Sequence, residues 1–301
     1  MEVKDNKRTI DGVEYQFDSS LQSWNAVGFE RGIDTIIIPN EIDEYPVTAI
    51  ERKAFLGCKS LINATIMAEN IIVKEWAFAH CDNLTHVSFE GINAGFEGAN
   101  VKFEKGAFAK DNKLIFLNLY KDDVTAHLMA AVPVIMEAEY LLDIDGCQMN
   151  EWLGKWDMKL KDILAGRDED GYHLYVLCGE EDLHFDYDEY IEYKREKKAG
   201  LCMLRLIYNC NLDDDCENML IAYLKNCTCI GENESGFNYL IKNHPDDLSF
   251  YELLVDIGCI NQDNVEGVLA LLADRHAQMK AYLIKRLTNA GASDFYDELL
   301  I

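Results

Sequence analysis

The sequence predicts an α+β chain: a β-rich repeat array with an amino-terminal hairpin cap over residues 1–121, then an all-α helical repeat or bundle over 122–301. Three observations predict it. The phrases "KAFLGCKSL", "WAFAHCDNL" and "GAFAKDNKL" write one pattern three times, at 53–61, 76–84 and 106–114. Ahead of them, Val13, Tyr15 and Phe17 alternate up to a Ser19-Ser20 turn, the spacing of a hairpin strand. Beyond Asp123 the apolar spacing changes from two residues to helical.

Taken in chain order, the stretch "GVEYQFDSSLQSWNAVGF" supplies both strands of the cap, the second carrying Trp24 and Val27. The repeat follows. Phe55, Phe78 and Phe108 each sit behind an alanine (Ala54, Ala77, Ala107), five residues after an apolar position (Ile50, Val73, Phe103) and six before a leucine (Leu61, Leu84, Leu114). Each leucine leads into a three-then-two step: Leu61, Ala64, Ile66; Leu84, Val87, Phe89; Leu114, Leu117, Leu119. Ile33, Ile36 and Ile38 open the series.

The two-residue step is strand spacing, so alternate side chains face inward and outward. The outward set is Thr35, Ile37, Asn63, Thr65, His86, Ser88, Phe116 and Asn118. A unit of about 23 residues cannot enclose a core alone, whereas stacked copies share one. Within it Phe and Leu fill the interior, Gly57 takes the turn, and Cys58 and Cys81 recur as small buried thiols. Surplus length in the third interval falls in "EGINAGFEGAN", which carries Phe96. Asp111 stands where the earlier copies have cysteine, which predicts a terminal unit facing solvent or another domain.

With these residues in view, "IPNEIDEYPVTAIERKAFLGCKSLINATI", residues 38–66, resembles the bacterial leucine-rich repeats of the BspA-like family, and the likeness extends over about 33–119. The resemblance implies a β-rich solenoid behind a hairpin cap. It also implies adhesion to host or partner proteins.

In the carboxyl-terminal half, "VTAHLMAAVPVIMEAEYLL" is apolar nearly all round and reads as a buried helix kinked or broken at Pro133. Periodicity and breakers predict further helices at about 151–165, 186–209, 214–227, 234–243, 248–257, 263–274 and 277–289. Gly258 and Gly291 close the similar phrases "ELLVDIG" and "LTNAG", 33 residues apart. That spacing resembles an ankyrin-type helix pair, without its "TPLH" tetrapeptide.

Composition narrows the function. The formal charge is −26, with net −6 over 1–122 and net −20 over 123–301, a field that repels nucleic acid and anionic membrane surfaces. No apolar run suits membrane insertion. "MEVKDNKRTIDG" has no leader-like h-region, which predicts a cytoplasmic chain whose ten cysteines stay reduced.

Chemistry-bearing motifs are weak. "RDEDG" and "DIDG" fail the ligand count of a calcium loop and read as solvated acidic turns. His80, Cys81 and His86 have zinc-ligand chemistry, but the repeat register puts Cys81 inward and His86 outward. No nucleophile or phosphate-loop motif is present. The basic concentration in "YIEYKREKKAG" is interleaved with acids and reads as a solvated helix face.

The expectation is therefore a non-enzymatic protein-interaction module without cofactor or metal. An unidentified protein partner would meet Thr35, Ile37, Asn63, Thr65, His86, Ser88, Phe116, Asn118 and the Phe96 loop. The rival readings are a surface adhesin, should a leader precede Met1, and an enzyme sited in the helical half.

Overall fold

The computed structural model describes residues 6–91, 100–120, 123–172, 187–272 and 275–298, with side chains described as far as 287. Strands occupy the amino-terminal part and helices the carboxyl-terminal part. Compact units cover Met1–Leu160 and Lys161–Ile301. The expected 121/122 boundary marks where the repeat ends and helical spacing begins; the first helical segment, in the first unit, packs on the strands.

In the first unit, β1 (Lys7–Ile10), β2 (Val13–Asp18) and β3 (Ser23–Phe29) form an antiparallel cap. The turn is held by Asp18, whose Oδ1 accepts from the Ser20 and Leu21 N–H groups. A register irregularity at Trp24 buries Ser23 through Ala26 in succession, so Val27 is left exposed.

Beyond the cap, each repeat contributes to two parallel ladders. One runs through β4 (Thr35–Ile38), β7 (Asn63–Ile66), β9 (His86–Phe89) and β11 (Phe116–Asn118). The other continues from β3 through β6 (Tyr45–Ile50), β8 (Asn70–Val73) and β10 (Asn100–Phe103), with β5 (Glu41–Ile42) paired to β6. Sequence spacing indicated only the first ladder.

Between ladders, the Ala-Phe turns bond directly from copy to copy. The Phe55 N–H donates to the Ala77 carbonyl at 2.7 Å and the Phe78 N–H to the Ala107 carbonyl at 2.9 Å. A side chain larger than alanine would oppose that approach. The phenyl rings consequently stack: Phe55 lies 5.1 Å from Phe78, and Phe78 lies 5.5 Å from Phe108, each pair inclined by 5°. Phe29 of the cap adds a rung at 5.9 Å from Phe55.

The same turn needs left-handed backbone. Gly57 has φ 71°, yet His80 (60°) and Lys110 (63°) adopt the equivalent conformation, at a cost of about 1 kcal/mol each.

α1 (Ala126–Ala131) packs on β11 and closes that ladder. Pro133 ends it: the chain passes into a single π-type turn, Val132–Met136, and a 3-10 turn, Glu139–Leu142. The segment is pinned by α2 (Met149–Ala165), where the Trp152 Nε1–H donates to the Leu141 carbonyl at 2.7 Å and the Trp156 Nε1–H to the Leu128 carbonyl at 3.1 Å.

The second unit is built around α3 (Tyr187–Ile207), which contacts α4 (Asp214–Asn226), α5 (Ser235–Asn243) and α6 (Leu248–Asp256). α7 (Val265–Leu271) and α8 (Ala277–Glu298) complete it. These elements match the helices expected from periodicity, except that α8 continues to Glu298, past the end expected at about 289. The glycine pair does not behave alike, however. Gly258 follows α6 at φ 77°, whereas Gly291 lies inside α8, so the 33-residue spacing does not mark two equivalent helix ends.

Two charged segments also differ from expectation. The face around 192–198 is not simply solvated: Lys198 is buried, and its Nζ donates to the Gly166 carbonyl at 2.6 Å and to Asp168 at 2.7 Å. Asp168 also receives Arg195 Nε at 3.0 Å, so the "RDEDG" turn is anchored by cations. Burial raises the Asp168 pKa, but hydrogen bonds from Lys198 and Arg195 outweigh it and hold the carboxyl below its ordinary value. Buried Glu196 is bonded by Lys242.

Candidate functional site

The β4-β7-β9-β11 ladder sorts its side chains into inward and outward columns. Strand pairing aligns Ile36, Ala64, Val87 and Leu117, all buried, as one inward column. The outward columns are Thr35, Asn63, His86, Phe116 and Ile37, Thr65, Ser88, Asn118. The structure thus brings eight of the nine expected face residues onto one surface. Phe96 lies outside the described residues.

Exposure varies along the face. Thr35, Ile37 and His86 are exposed, with Ile37 at 50%. Asn63, Thr65, Ser88, Phe116 and Asn118 are half-buried by their neighbours. Phe116 is the most enclosed by rings: His86 stacks on it at 5.4 Å and His127 of α1 meets its edge at 5.6 Å. His86 is steered by Thr85, whose Oγ1 lies 2.9 Å from Nδ1 and donates to the Ile62 carbonyl at 3.1 Å. Ile62 and Ile115, at the corner before β7 and β11, remain 42% and 44% exposed. Sequence spacing missed them because the residue before a strand has no fixed face.

Among the described residues the thiols and histidines do not converge. Cys81 is buried and its Sγ–H donates to the Phe55 carbonyl at 3.1 Å, while His86 is exposed on the outward face. Burial raises the Cys81 pKa far above its ordinary value, which favours an inert thiol. The nine described cysteines are free, and seven are buried.

Asp111 departs from expectation. Of the two settings expected of it, solvent or another domain, the first fails: it is buried, with 1% exposure. Its Oδ1 accepts from the Cys81 N–H at 2.8 Å, and its Oδ2 is buried without a hydrogen-bond partner. Burial pushes this carboxyl up to about 8; the Cys81 N–H lowers it and nearby Asp82 raises it. An ionisable side chain in a repeat position is thus retained inside the core as an acceptor for the previous copy's backbone.

No family model matches the chain, and no curated protein matches it. Two solved structures are similar over part of it. A leucine-rich repeat protein of T. pallidum is 17% identical, with 36% of this chain and 58% of that one covered and a TM-score of 0.25. A leucine-rich repeat protein from Bacteroides ovatus is 16% identical, with 38% of this chain and 41% of that one covered and a TM-score of 0.23.

Proposed function

We propose that the chain is a non-enzymatic protein-interaction module whose stacked repeats form a solenoid and present the β4-β7-β9-β11 face to a protein partner. One observation carries the reading. In a chain of net charge −26, the eight aligned outward residues include no carboxylate and no ammonium, and exposed Ile37 stands among small polar groups and an aromatic stack. Interfaces exclude charge from their centre and favour such mixtures of apolar, aromatic and adaptable polar side chains. The nine free thiols suit a reducing compartment such as the cytoplasm.

The test is affinity capture from the native cell with the wild-type chain, with Ile37→Glu and His86→Glu, and with Ile72→Glu as a control. Ile72 is exposed on β8, in the other ladder. A protein retained by wild type and by the Ile72 variant but released by both face variants supports the reading. Equal retention by all four overturns it, as does equal loss from the Ile72 control.

A further inference from the structure

The two ladders end differently. The first is closed by α1, whereas among the described residues no strand pairs with the far side of β10. A pocket of about 320 Å³ opens beside this end, between the 103–108 turn and the 133–143 segment. Its apolar wall is Phe103, Phe108, Pro133 and Leu142; its rim holds Glu104, Glu139 and Asp143 against the single ammonium of Lys105. Tyr140 stands 66% exposed at the mouth.

The pocket meets an unanswered donor. In the preceding copies the Phe55 and Phe78 N–H groups each point to the next copy's alanine carbonyl. Phe108 is the equivalent residue of the last copy, is 1% exposed and lines the pocket, yet no described residue accepts from its N–H. A buried amide without an acceptor costs about 1–3 kcal/mol. The rim carboxylates have unused capacity as well. Glu139 spends one oxygen on the Gly106 N–H at 2.9 Å and Glu104 spends one on the Glu75 N–H at 2.9 Å, and no described residue forms an ion pair with Asp143.

Three unmet demands therefore converge: a carbonyl for the Phe108 N–H, an apolar body for the half-buried Phe103 and Pro133, and a cation for the rim. A small ammonium ion meets only the last. We propose that this pocket binds an extended arginine-bearing segment of a partner polypeptide. Its backbone carbonyl takes the place of the missing next copy, and its guanidinium lies between the rim carboxylates and the Tyr140 ring. Arginine fits better than lysine, because its planar fork pairs with carboxylates while its face stacks on an aromatic ring. This surface lies at the end of the repeats and is separate from the outward columns described above.

The experiment titrates the full chain with three capped tripeptides, acetyl-Leu-Arg-Ala-amide, its citrulline counterpart and its glutamate counterpart, following backbone amide shifts by NMR. Citrulline keeps the planar shape of arginine without the charge, with a carbonyl acceptor in place of one amino donor group. The expected result is a downfield shift of the Phe108 amide, with the arginine peptide binding about tenfold tighter than the citrulline peptide. The double variant E104Q/D143N should bring those two peptides within about twofold, while E41Q/E90Q, with the same charge change elsewhere, should preserve the preference. Equal binding of arginine and citrulline peptides to wild type overturns the proposal. So does equal loss of preference in both double variants, which would assign it to the general field of the chain. The absence of any shift at Phe108 with 10 mM arginine peptide, roughly the weakest affinity a built pocket allows, overturns it too.

Discussion

The repeat unit and the helical unit solve burial in opposite ways. In the first, one apolar position is filled by the same residue copy after copy, and Phe55, Phe78 and Phe108 lie nearly parallel as a result. In the second, the long helix α3 buries a lysine, a glutamate and Arg205, whose guanidinium donates to the carbonyls of Tyr208 at 2.7 Å and Cys210 at 3.0 Å. A core of translation keeps one residue along the phenyl column and lets size vary along the strand column of Ile36, Ala64, Val87 and Leu117. A core of unlike helices accepts charge wherever a carbonyl or counter-ion meets it.

The comparison is broken most sharply at the centre of the phenyl column. Phe78→Ala removes a fully buried ring from between two others, and chemical denaturation should show a loss of about 3–5 kcal/mol. A loss under about 1 kcal/mol would mean that the column contributes little to its unit.

In the helical unit the corresponding weak point is an ion pair. Asp168→Asn leaves buried Lys198 without its counter-charge and should cost about 2–3 kcal/mol at neutral pH. Because the native carboxyl is held below its unfolded value, this contribution is present above about pH 4 and is lost as the pH falls through the lower, native value. The variant should therefore flatten the acid limb of the stability profile, and an unchanged limb would remove Asp168 from its causes.

Asp111 brings the opposite sign into the repeat unit. Its native carboxyl keeps a proton up to about pH 8, so the unfolded chain releases that proton first and stability falls as the pH rises from about 4 to 8. Asp111→Asn retains the acceptor for the Cys81 N–H and cannot ionise. It should raise stability at pH 8 by about 1–3 kcal/mol and have little effect at pH 4, and equal effects at both values would contradict this account. The smallest effects belong to the outward columns: Ile37→Asn and His86→Ala should each change unfolding free energy by about 0.5 kcal/mol or less.

Much of the repeat architecture could be read in advance because the same register is written several times; three copies agreeing on Phe55, Phe78 and Phe108 leave little freedom for the residues between. The second ladder escaped notice because the phrases flanking β8 and β10 differ from copy to copy. Asp111 was misplaced for a simpler reason: residue type suggested the surface, while the backbone donor that holds it is contributed by another copy. Lys198 was misplaced likewise, since helical periodicity identifies a charged face without revealing that a distant turn returns to cover it. The candidate face was legible as alternation, and its exposed corner residues Ile62 and Ile115 were not.

Copy length varies while the ladders stay in step. The first outward column is read at residues 35, 63, 86 and 116, three unequal intervals, and none shifts the pairing by a residue. Spare length is taken up between strands, as between Phe89 and Asn100, and the phenyl column does not register it. The repeats thus separate what must be inherited from what is free to drift. Loops of new length can be grafted at the corners without redesign of the core, which gives this chain a route to an altered surface by insertion, leaving its existing side chains in place.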